Sequence, residues 1–146
     1  MLKTIYKSDV VIFKQDTINH IIFINCIKDS FTEKEYEEYH EALLQVYSNY
    51  EKINTKFFFI FDINKLGMYS LTFSKAEANF FNKLEPRTEK IVHAMCTITE
   101  STIIKNSINF FIGLFSSVVP IKIVSDIEEA INFINSLKKN NVKYNV

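Results

Sequence analysis

Phe57-Phe58-Phe59-Ile60-Phe61-Asp62-Ile63 is the stretch on which the fold turns. It is too short for an independent helix, and it lacks the polar–apolar alternation of a strand with one wet face. It reads as a strand buried on both sides, the place a strand holds in a parallel sheet covered by two helical layers. Lys56 leads into it, and Asp62 stands at its carboxyl end.

On the amino-terminal side, Val10 to Phe13 and His20 to Cys26 are β-rich runs joined by the polar segment Lys14-Gln15-Asp16-Thr17-Ile18-Asn19. That pattern predicts an antiparallel hairpin. Thr32 followed by Glu35 is a capping box, and Phe31 with Tyr36 occupies the two positions of a hydrophobic staple. The helix they open runs to about Tyr50, with Tyr36, Tyr39, Leu43, Val46, Tyr47 and Tyr50 on one face.

On the carboxyl-terminal side, Ser74 with Glu77 reads as a second capping box, opening a helix that passes Phe80, Phe81 and Leu84 and stops at Pro86. Ile91 to Ile98 reads as a strand, a helix spans about Ser101 to Phe115, and Ile121 to Val124 is the last strand. Ser125 with Glu128, or Asp126 with Glu129, caps a final helix with the stripe Ile127, Ala130, Ile131, Ile134 and Leu137. Lys138 and Lys139 at its end suit the helix dipole, and 140–146 reads as a frayed tail.

This alternation requires crossover connections. The expected fold is α/β: a mostly parallel five-stranded sheet with an N-terminal antiparallel hairpin and helices on both faces, built as one domain over 1–146 with its core at about 9–137.

The bulk properties agree with that reading. The chain has 146 residues, 47% hydrophobic and 14% aromatic, which is a core-forming composition. A chain of this size buries roughly two thirds of its unfolded surface and needs no metal or disulfide. With 17 basic and 17 acidic residues the formal net charge is zero, without the basic excess a nucleic-acid binder usually carries. Cys26 and Cys96 sit in apolar runs, with no Cys or His at metal-ligand spacing, and read as buried thiols in a reducing compartment. The N-terminus lacks the apolar run of a signal peptide, and the 108–121 stretch is too short and too interrupted to span a bilayer. A cytoplasmic, soluble protein is expected.

Three features together resemble the STAS-like superfamily, which includes anti-anti-sigma factors and the related SpoIIAA-like and Sec14-like proteins. They are the opening hairpin followed by helix and buried strand; Phe61-Asp62-Ile63-Asn64-Lys65-Leu66-Gly67, similar to that family's segment of strand, Asp and short loop; and Pro120 to Ile131, similar to its last strand and helix. The resemblance implies a regulatory domain working by protein contact, or a lipid-binding relative. Anti-anti-sigma proteins carry a phosphorylatable hydroxyl in a turn after the strand Asp. Here that region reads Met68-Tyr69-Ser70-Leu71-Thr72-Phe73-Ser74, without the family's Asp and Gly, so Ser70 and Thr72 are the matching hydroxyls.

Catalytic signatures were sought. With Gly67 and Gly113 the only glycines, no Gly-rich phosphate loop exists. His20, His40 and His93 are scattered; His40 borders the apolar face of the first helix, and His93 and Cys96 are expected on opposite faces of their strand. Glu33, Glu35, Glu37, Glu38 and Glu41 read as a solvated helix face. Asp62 is the best polar candidate, because ligands of open α/β sheets bind outside the carboxyl ends of strands; Thr97 and Thr99 are expected beside it. The bland reading of Asp62 is a cap on the following turn. No metal site and no cofactor are expected.

The helix at about 101–115 carries more apolar surface than a sheet requires. Ile104, Ile108, Phe111 and Phe115 form one stripe; Ile103, Phe110 and Leu114 form a second beside it. Together the apolar positions cover roughly 200° of arc, against the ~100° of an ordinary surface helix. The second stripe fits a neighbouring helix, a homodimer or partner interface, or a lipid-sized pocket. The expectation carried forward is a non-catalytic protein-interaction or regulatory domain, with Ile103, Phe110 and Leu114 as interface anchors and Asp62, Ser70 and Thr72 as a binding or switch surface. A small lipid or apolar-ligand carrier is the alternative.

Overall fold

The computed structural model describes residues 2–67, 71–106, 109 and 118–144. Its elements run β1 (Leu2–Lys7), β2 (Val11–Asp16), β3 (Ile21–Cys26), α1 (Glu33–Ile53), β4 (Phe57–Asp62), α2 (Leu71–Lys83), α3 (Glu85–Ile91), β5 (Val92–Ile98), a helical stretch at 102–106, β6 (Ile121–Val124) and α4 (Ile127–Tyr144). The six strands lie in sequence order across one sheet. β1, β2 and β3 pair antiparallel, and β3, β4, β5 and β6 pair parallel.

The quoted stretch is the interior strand that its composition demands. Phe57, Phe58, Phe59 and Ile60 are 0%, 2%, 0% and 1% exposed. Phe57 and Phe59 join a core cluster with Tyr39, Leu43, Val46, Tyr47 and Tyr50 of α1, Ala78 and Phe81 of α2, and Ile91 of α3. Phe58 and Ile60 join a second cluster on the other face, with Ala130 and Ile134 of α4. Three helices therefore cover one face and α4 the other. Because α4 packs on β5 and β6, the outer face of β2 is left with exposed Lys14 and half-buried Ile12.

The sheet has six strands, one more than the sequence reading gives. β1 was missed because it is an edge strand that buries almost nothing: Leu2 is 54% and Ile5 37% exposed, so no alternation marks it. The opening hairpin is consequently the second half of a three-stranded meander, and ordered structure starts before residue 9.

Two helix boundaries also differ. Leu71 already opens α2, so Ser74 lies inside that helix and not at its start. Pro86, taken as a stop, instead sits in the first turn of α3, where its missing N–H would have had no partner and its fixed φ suits the helix. α4 continues to Tyr144, beyond Lys139. Its stripe holds at Ala130 and Ile134, but Ile127 is 49% exposed.

The remaining caps are as expected. Thr32 Oγ1 accepts the Glu35 N–H at 3.2 Å while Glu35 Oε1 accepts the Thr32 N–H at 2.9 Å. Of the two capping options for α4 the Asp126 one is used: Asp126 Oδ1 accepts the Glu129 N–H, and Glu129 reaches back to the Ser125 N–H, both at 2.9 Å. Ser101 opens the 102–106 stretch by accepting the Ile104 N–H at 3.2 Å.

Candidate functional site

The carboxyl ends of β3, β4, β5 and β6 form the edge where an open α/β sheet usually presents its chemistry. Asp62 ends β4 there. Its Oδ1 accepts the Asn64 N–H at 3.1 Å, and Asn64 Oδ1 in turn accepts the Glu100 N–H at 2.9 Å. Asp62 thus folds the loop after β4 as an Asx turn, and Asn64 ties that loop to the one after β5. The capping role is observed. Thr99 is fully buried, pairs by its N–H with Val124 O at 3.0 Å and accepts the Ser101 N–H at 3.2 Å. Lys105 Nζ donates to Ser125 Oγ at 3.2 Å, joining the loop after β5 to the loop after β6. Gly67 closes the edge: its N–H donates to Asp29 O at 2.9 Å, and a Cβ there would stand 3.3 Å from that oxygen.

Beneath this edge lies a polar cluster that sequence reasoning missed. Glu77 of α2 is 6% exposed. Its Oε1 accepts the Tyr36 hydroxyl at 2.5 Å and lies 2.9 Å from His40 Nε2. Tyr36 and His40 are one turn apart on α1, so both reach the same oxygen. The His40 ring is clamped between Tyr36, 4.2 Å away centroid to centroid, and Phe80, stacked at 3.8 Å and 9°. The signal was present in the sequence. Glu77 shares a helical stripe with the buried Phe81 and Leu84, and a carboxylate on an apolar stripe needs partners.

The cysteines are quiet. Burial pushes the Cys26 thiol up to about 12, and the carboxylates of Glu77 and Asp62 push it the same way. Burial raises Cys96 to about 11, partly offset by Lys122. Both thiols stay protonated near neutrality and are poor nucleophiles and metal ligands. Among the described residues no group of three or more His, Cys, Asp or Glu side chains could hold a metal ion.

His93 corrects an expectation. A bulge where Phe57 and Phe58 meet Val92 and Ala94 breaks the period of two in β5. Val92 packs into the α1-side cluster, while His93 stacks on Phe58, at 4.8 Å and 23°, in the cluster that also holds Cys96. The two residues are therefore associated with the same face.

The predicted site residues are only partly brought together. Asp62 is at the strand ends as placed. Ser70 lies outside the described residues, and so does the side chain of Thr72 in the opening turn of α2. Ile104 is buried at 4% and Ile103 is 77% exposed. Phe110 and Leu114 lie outside the described residues. Among the described residues no helix is long and apolar enough to cross a membrane.

A sheet with an antiparallel opening, four parallel strands and helices on both faces is an α/β fold of the SpoIIAA-like kind. Consistent with that, the chain is similar to the crystal structure of an uncharacterized protein of the DUF3478 family with a SpoIIAA-like fold, from Shewanella loihica PV-4. The TM-score is 0.55 at 18% identity, covering 88% of this chain and 98% of that one. Residues 19–138 match the family model described as domain of unknown function DUF7793, and the chain belongs to that family. No curated protein matches it.

Proposed function

We propose that this chain is a non-catalytic protein-interaction domain that works by surface contact, either with a second copy or with a protein partner. The observation that carries the reading is Ile103. It is a large apolar side chain, 77% exposed, beside an Ile104 that is buried in the core. An exposed isoleucine next to a buried one offers apolar surface that a contact would cover. Ile103, Phe110 and Leu114 share that second stripe and are the anchors of the interface.

The segment from Asp62 to Ser74 is a second contact surface. Phosphorylation of Ser70 or Thr72 would place nearly two negative charges near Asp62 and repel an acidic partner. The free, buried Cys26 and Cys96 suit the reducing cytoplasm, where such an interaction would operate.

Sedimentation equilibrium tests this. The native chain is expected to self-associate or to form a complex with its partner, and Ile103→Asp with Leu114→Asp to abolish that while the far-ultraviolet circular dichroism stays native. A native chain that is monomeric and copurifies with lipid would overturn the contact reading in favour of an apolar-ligand carrier.

A further inference from the structure

The amino ends of the parallel strands carry a second concave feature, at the edge of the sheet opposite Asp62. Here β3, β4 and β5 begin, and a cavity of about 430 Å³ opens between them and α4. Asn19, His20, Lys56, Phe58, His93 and Lys138 line it. Lys56, Lys138, His20 and His93 thus border one space, and among the described residues no carboxylate side chain lines it.

Two departures from regular backbone meet there. His20 closes the β2–β3 turn with φ 54, a left-handed conformation that the turn would fill more easily with Gly or Asn. The bulge at the start of β5 turns His93 onto Phe58, where a regular strand would direct it to the other face. Backbone irregularities of these kinds cluster where a side chain must be aimed at a function. Both irregularities border the cavity: the His93 ring stacks on its Phe58 wall, while the His20 ring packs edge-on against Tyr50 at 5.9 Å.

His20 Nδ1 is buried and has no hydrogen-bond partner among the described residues. Lys138 Nζ reaches Asn19 Oδ1 at 3.3 Å and lies 5.7 Å from the centre of the Phe58 ring. Burial, followed by the charges of Lys56 and Lys138, holds His93 below the usual imidazole range. The like charges of Lys56 and Lys138 raise one another's cost, and a bound anion would offset it.

We propose that this cavity binds a small organic anion, a phosphate monoester or carboxylate with a compact apolar body. The charged group would sit between Lys56 and Lys138 within reach of the His93 ring. The body would lie against Ile18 and the Phe58–His93 stack. The site is independent of the contact surface around Ile103.

Carbon–proton correlation NMR of the His20 and His93 rings tests it, with phenyl phosphate and benzoate as probes and inorganic phosphate as the reference. Saturable shifts at both rings are expected, with an upward displacement of the His93 titration on binding, because the anion offsets the two lysines. Lys56→Gln with Lys138→Gln should weaken binding by about tenfold or more while leaving the circular dichroism native. Absence of a saturable shift, or undiminished binding in the double variant, would overturn the proposal. Equal affinity for inorganic phosphate would overturn the organic part of it.

Discussion

Removing the buried carboxylate of Glu77 gives the most informative perturbation of the helical layer. Glu77 Oε1 takes both the Tyr36 hydroxyl and His40 Nε2. Glu77→Ala strands two polar groups that are half-buried rather than fully dry. Each therefore costs about 1 to 1.5 kcal/mol, the lower part of the range for an unsatisfied buried group. The sum is about 2 to 3 kcal/mol, which for a chain of this size lowers the melting temperature by roughly 6 to 9 °C. Tyr36→Phe removes a single donor and leaves the His40 contact, so it costs about 1 to 1.5 kcal/mol. The double variant should cost less than the two singles together, by about 1 kcal/mol, because both remove the same bond. Glu77→Gln keeps an acceptor oxygen and is expected to be the mildest of the set. Urea unfolding followed by far-ultraviolet circular dichroism measures all four. A Glu77→Ala cost below about 0.5 kcal/mol, with the double variant additive, would mean that Glu77 is solvated and would refute the reasoning.

Other consequences are as direct. Phe59→Ala should cost about 3 to 5 kcal/mol by chemical denaturation, since Phe59 is fully buried against α1; a loss under 1 kcal/mol would contradict its place in the core. Asn54 ends α1 with φ 50, so Asn54→Ala should destabilise by about 1 kcal/mol while Asn54→Gly stays within about 0.5 kcal/mol of the native chain. The two thiols, held at about 12 and about 11 against a usual value of 9.0, keep their protons in the folded state after the unfolded chain has released them. Their contribution is therefore intact below pH 9 and is lost progressively as pH rises above it. Reaction with a thiol reagent at pH 8 should wait for unfolding; immediate labelling of both cysteines would contradict their burial.

The fold was legible wherever burial wrote a pattern. Phe57 to Ile60 could only be an interior strand, and the stripes of α1 and α4 marked the two layers that cover it. The missed pieces share a physical cause. β1 gains its order from hydrogen bonds to β2 and buries little, so its side chains carry no periodic signal. Pro86 is equally compatible with ending one helix and beginning the next, and only the short link at Leu84 decides between them. The site was less legible, because its parts are long-range. Glu77 meets Tyr36 and His40 across two helices. His20 and His93 both lie at the amino ends of strands, away from the edge where open sheets usually bind ligands. The bulge that aims His93 falsifies the simple period of two and leaves no mark in the residues around it.

Native-state amide hydrogen exchange tests the central claim most directly, namely that β4 is an interior strand clamped between helical layers. Its neighbours β3 and β5 hydrogen-bond it on both sides. The amides of Phe58 to Phe61 should exchange only through global unfolding, slower than those of the edge strand β1. Exchange of the Phe58 to Phe61 amides as fast as those of Lys3 to Tyr6 would contradict the architecture on which both proposed surfaces rest.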